Sequence, residues 1–106
     1  MVKHIVLFQL KSGMDESLRR QVMNDFRAAI LALPAHIPAI RTIEVEFNIN
    51  AEERFDVALY SEFGSLDEVR AYAVHPEHVA AAAIIKPYIA ARACTDYTVN
   101  EGERKI

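Results

Sequence analysis

The order of apolar and polar positions divides this chain into a short series of strands and helices. Over residues 2–11 the even positions read Val2, His4, Val6, Phe8 and Leu10, and the odd ones Lys3, Ile5, Leu7, Gln9 and Lys11. Side chains of a strand alternate between its faces, so one face is apolar except at His4 and the other only in its middle. That pattern predicts a strand buried on both sides over part of its length. Ser12-Gly13 ends it. Leu18, Val22, Phe26, Ile30 and Leu33 then recur at helical spacing, with Arg19, Arg20, Asn24 and Arg27 between them, which predicts a helix over residues 15–33. Acidic residues open it, favourable beside the positive end of the helix dipole, and Pro34 stops it.

Two more strands are expected over residues 39–48 and 55–63. In the first, Ile43, Val45 and Phe47 oppose Thr42, Glu44, Glu46 and Asn48; in the second, Phe55, Val57, Leu59 and Phe63 oppose Asp56, Ala58, Tyr60 and Glu62. Each has one core face, and the polar loop around residues 50–53 joins them as a β-hairpin. Ser65-Leu66-Asp67-Glu68 is a capping box, in which hydroxyl and carboxylate each satisfy an orphan backbone N–H, and it starts the second helix. That helix breaks at His75, because Pro76 disfavours helical geometry in the residue before it. Pro76 then opens a second helical piece, which ends before Pro87. Residues 92–99 form the last strand.

This order is the ferredoxin-like β-α-β-β-α-β plan, an α+β fold with a four-stranded antiparallel sheet. Right-handed crossovers put both helices on one face of it. The other face is bare, and carries Ile5, Leu7, Ala58 and Tyr60 mixed with Glu and Thr. A partly apolar face with no helix of its own needs a partner, and a symmetric homodimer through the open sheet face is the simplest solution.

Length and composition narrow the setting. The 106 residues fit one domain, placed over residues 1–99, with a polar tail over residues 100–106. Net charge is −3 and the basic residues are scattered, without the basic stripe of a nucleic-acid binder. The apolar run at residues 5–8 is too short for a signal-peptide core or a membrane span. Cys94 is the only cysteine, so no internal disulfide can form and a cytoplasmic location is expected. Cys94 itself reads as a small core residue.

Several segments together resemble one family. Residues 2–8 (Val-Lys-His-Ile-Val-Leu-Phe) open the chain, Phe63-Gly64-Ser65 precedes the second helix, and Tyr72-Ala73-Val74-His75-Pro76-Glu77-His78-Val79 follows. Arg92 and Asp96-Tyr97 sit in the last strand. The set is similar to the stress-responsive A/B barrel domain, or Dabb, family, and the similarity covers nearly the whole chain. The resemblance implies a dimeric α/β barrel built from two ferredoxin-like subunits. It also implies that most relatives have no known function, while plant members similar to olivetolic acid cyclase close a polyketide by aldol chemistry without a cofactor. In those cyclases a pocket between helices and sheet holds two His and a Tyr, and the matching positions here are His78, Tyr72 and His4. Apolar residues expected to contact a substrate in such a pocket are Val6, Phe8, Met23, Phe26, Leu59 and Cys94. Where the cyclases have aromatic side chains along the first helix, this chain offers Val22, Met23 and Phe26.

An imidazole titrates near neutrality, so His78 can take a proton from a carbon acid near pH 7. Tyr72 can donate a hydrogen bond to the enolate oxygen that develops. Geometry sets a condition. Six residues on an unbroken helix leave the two side chains roughly 120° apart, so they converge only if the helix breaks at His75-Pro76. His75 reads as a cap of the following helical piece, and His36 as a loop residue. His75 and His78 flank Glu77, but zinc sites usually need three or four converging ligands and no further Cys/His cluster follows; no metal and no cofactor is expected. Two readings stand. One is a cofactor-independent acid–base enzyme acting on a small carbonyl or polyketide-like compound. The other is a non-catalytic dimeric protein that binds a small-molecule ligand or serves in a stress response.

Overall fold

Alternation governs the first strand of the computed structural model. In β1 (Val2–Leu10) every even position is buried and every odd one half-buried. The structure describes residues 1–99; the polar tail expected over residues 100–106 lies outside the described residues. Gly13, at φ +79°, turns the chain into α1 (Glu16–Leu31). Asp15 caps this helix by accepting from the Ser17 and Leu18 N–H groups. Val22, Met23, Phe26 and Ile30 are buried, but Leu18 is 40% exposed, so the apolar stripe starts one turn later than its spacing suggests. The helix also ends sooner than expected. Pro34 sits in a separate 3-10 turn (Leu33–Ala35), which still buries Leu33.

The hairpin strands β2 (Thr42–Phe47) and β3 (Val57–Phe63) are shorter than the sequence pattern implies. Asp56 is withdrawn from the strand for another task. Its carboxylate accepts from the Leu10 N–H at 2.7 Å and pairs with Arg19, tying the end of β1 to α1. Ser65 then caps α2 (Leu66–Val74) by accepting from the Glu68 N–H, while the Glu68 carboxylate accepts from the Gly64 N–H, one residue before the cap. The second helical piece, α3 (Pro76–Ile85), leads through a 3-10 turn (Lys86–Tyr88) into β4 (Ile89–Thr98), which begins earlier than expected.

The four strands lie in the order β2-β3-β1-β4, every pair antiparallel. Phe26, Ile30, Val45, Phe63 and Ile85 are almost wholly buried between helices and sheet. On the opposite face Ile5, Leu7 and Tyr60 are only half-buried and Ala58 is exposed. There Lys3 meets Glu62 at 3.1 Å and the Tyr60 hydroxyl donates to the same carboxylate at 2.5 Å. The domain is a slab, 17 Å along its shortest axis, with one side of the sheet uncovered. No helix among the described residues is long and apolar enough to cross a membrane.

Candidate functional site

The break in the second helix assembles the site. His75 takes extended backbone angles (φ −63°, ψ 134°), and its Nδ1 accepts from the Glu77 N–H at 3.1 Å, so it caps α3. With α3 re-aimed, the Tyr72 and His78 rings lie 4.4 Å apart between centroids. The His4 ring, from β1, meets Tyr72 edge-on at 6.2 Å. All three border one cavity of about 280 Å³ between the sheet and α1, α2 and α3, near the lower end of the range for small-molecule pockets.

Of the apolar residues expected around a substrate, Val6, Phe8, Phe26 and Leu59 line this cavity. Met23 and Cys94 do not. Met23 is buried in the core of α1, and Phe26, on the next turn, fills the place facing the cavity. Cys94 is exposed rather than a core residue, because it stands on the edge strand β4; its Sγ lies 3.8 Å from His4 Nδ1. Lining residues that were not expected to contact a substrate are Ala73, Ala82, Ile85, Lys86, Ile89 and Arg92. For Arg92 the signal was available. It shares its strand parity with Cys94 and Asp96, and sits opposite Phe8 as Asp96 sits opposite His4. Lys86 lies in a 3-10 turn, where no alternation marks a facing side.

The two helical residues are electrostatically unlike. The Tyr72 hydroxyl is buried with no hydrogen-bond partner among the described residues. Burial pushes its pKa far above the ordinary phenol value, so at neutral pH it is a donor and never a base. His78 is half-buried, and desolvation is the main cause that holds its pKa below the usual imidazole value; a hydrogen bond to Ala73 opposes this, and the charges of His4, Arg92 and His75 add to it. Its Nδ1–H donates to the Ala73 carbonyl at 3.0 Å. A carbonyl can only accept, so in neutral His78 the lone pair is on Nε2. His4 Nδ1–H in turn donates to the Asp96 carboxylate at 2.5 Å, which fixes the ring and leaves Nε2 as its second polar atom.

The described residues bring three possible donor atoms together elsewhere than at His75 and His78. His4, Cys94 and Asp96 each bring one donor atom, all within 4.8 Å of one another. The sequence order hides this set, since it forms across the β1–β4 pairing. The direct His4–Asp96 hydrogen bond accounts for the contact without an ion.

Comparison with known proteins fits this fold. A family model described as the Stress responsive A/B Barrel Domain matches residues 2–99. A dimeric protein of unknown function and ferredoxin-like fold from Bacteroides fragilis is 52% identical, with a TM-score of 0.90 over 92% of this chain and 95% of that one. A dimeric ferredoxin-like protein of unknown function from Thermobifida fusca YX is 30% identical, with a TM-score of 0.76 over 92% and 90% of the two chains. A hydroxynitrile lyase from Passiflora edulis shares the fold, with a TM-score of 0.72 over 94% of each chain at 20% identity. A search of curated proteins found no match.

Proposed function

This chain belongs to the stress-responsive A/B barrel domain family, and from the imidazole and phenol that meet in the wall of its cavity we propose cofactor-independent acid–base chemistry on a small carbonyl compound. His78 Nε2 takes a proton from the carbon beside the carbonyl. The C–H bond breaks, an N–H bond forms, and the electron pair moves towards the carbonyl oxygen. Tyr72 O–H donates to that oxygen as its charge develops. His4, held through Nδ1 by Asp96, orients the substrate with Nε2. Val6, Phe8, Phe26 and Leu59 supply the apolar wall.

The observation that carries this reading is the unpartnered hydroxyl of Tyr72 beside His78. Leaving a buried hydroxyl without a partner costs about 1–3 kcal/mol, a cost removed when a substrate oxygen accepts its hydrogen bond. A non-catalytic ligand carrier has no need of convergence between the two side chains, so their contact favours the acid–base reading.

The protein works as a homodimer through the open sheet face. The half-buried Ile5, Leu7 and Tyr60 support this, as do relatives at 52% and 30% identity that are described as dimeric. The single cysteine supports a reducing, cytoplasmic setting. Sedimentation at micromolar concentration is expected to show a dimer; a monomer there rejects the pairing.

Deuterium uptake by acetylacetone in D2O, followed by NMR, tests the chemistry. The wild-type protein is expected to accelerate exchange, with His78→Ala losing about 10²- to 10⁴-fold of the catalysed rate. Tyr72→Phe should lose roughly 10²-fold. Equal exchange by the wild type and His78→Ala overturns the assignment.

A further inference from the structure

The chain as a whole is acidic, with 15 Asp and Glu against 12 Lys and Arg. Its cavity reverses that balance. Lys86 and Arg92 line it, and among the described residues no Asp or Glu does. Neither cation joins an ion pair among the described residues. They also arrive from different elements. Lys86 opens the 3-10 turn after α3, and Arg92 stands on β4 opposite Phe8. Both are exposed, whereas Val6, Phe8, Phe26 and Leu59 are buried, so the positive charge lies at the mouth and the apolar surface deeper in. Lys86 and Arg92 thus give the mouth a positive charge that, among the described residues, no carboxylate of the wall neutralises.

The geometry points to a ligand with a small apolar body and one carboxylate, held at the mouth by Arg92 and Lys86. The planar guanidinium fork matches a carboxylate in two parallel hydrogen bonds, and the ammonium adds a point charge. Resting on the acid–base reading above, the substrate class becomes a small oxo acid: the carboxylate sits at the mouth, and the carbonyl reaches Tyr72 and His78 further in. Anchoring one end in this way orders the reacting carbon near His78 before proton transfer begins.

Titration calorimetry with levulinate and its uncharged amide, levulinamide, tests this on the wild-type protein and on Arg92→Gln, Lys86→Gln and the double variant. Levulinate is expected to bind roughly tenfold or more tighter than the amide. Added salt should shrink the preference, because the cations are exposed. The double variant should lose it, and both positions being exposed, unchanged thermal unfolding will show that the fold survives. Equal affinities for the two compounds, no binding of either, or a preference that persists in the double variant each overturn the inference. Binding requires no proton transfer, so these outcomes bear on the carboxylate alone. Deuterium exchange that is unaffected in His78→Ala bears on the acid–base reading alone.

Discussion

The helices that roof the sheet present side chains of different size to it. α1 buries Val22, Met23, Phe26 and Ile30, and on the hairpin strands Val45 and Val57 are almost wholly buried. α3 offers the alanines at positions 80–83, of which only Ala81 is buried, and Ile85 is its one large buried side chain. The cavity opens on that second side, with Ala82 in its wall and Phe26 at the boundary between the halves. Space between two layers follows from side-chain volume. A row of methyl groups cannot fill what a row of Phe, Ile and Met fills, so the same fold is a packed core at one end and a container at the other. Four alanines at positions 80–83 are compatible with close packing or with a pocket, and here Ala82 lines the cavity.

Two substitutions probe this contrast. Ile30→Ala removes a fully buried side chain from the packed half and should cost about 2–5 kcal/mol of unfolding free energy in denaturant titration. Ala82→Leu adds volume where the structure has room, so it should shift stability by less than about 1.5 kcal/mol. It should nevertheless abolish levulinate binding, because the side chain occupies the cavity. If Ala82→Leu destabilises as much as Ile30→Ala, the α3 side is packed core and the contrast fails.

The fold was legible because its signals are local and repeated. Period two in β1, period 3.6 in α1, the cap at Ser65 and the proline at 76 all act within a few residues, and each agrees with the β-α-β-β-α-β order. The start of β4 was not legible. Ile89-Ala90-Ala91 has weak strand preference on its own, and pairing of Ile89 with Leu10 and of Ala91 with Gln9 imposes the conformation. The site divides the same way. Tyr72 and His78 could be brought together by one local event, the helix break, and the resemblance to a family marked them. Arg92, Lys86 and Asp96 take part through strand register and tertiary placement, which link residues about ninety positions apart, as in the His4–Asp96 pair separated by 92. Cys94 was misread as core for a related reason: strand parity gives its face, but only the sheet order reveals that β4 is an edge.

The smallest effect expected is a pH dependence set by the burial of His78. Burial holds the His78 pKa below the ordinary imidazole value of 6.5, so the unfolded chain takes up a proton there while the folded chain still refuses it. Across that window the unfolded state binds more protons, and stability must rise with pH. The contribution is fully present above about pH 6.5 and is lost as pH falls through the lower folded-state pKa. The chain has four histidines, so the informative quantity is the difference between the wild type and His78→Gln, measured by denaturant titration from pH 5 to 7.5. The slope should be shallower in the variant. The same depressed pKa favours unprotonated Nε2, and the fall in catalysed exchange on acidification should therefore be centred below pH 6.5. A fall centred above 6.5, or identical slopes in the two proteins, would mean that His78 does not feel the burial its place between Tyr72 and Ala73 imposes.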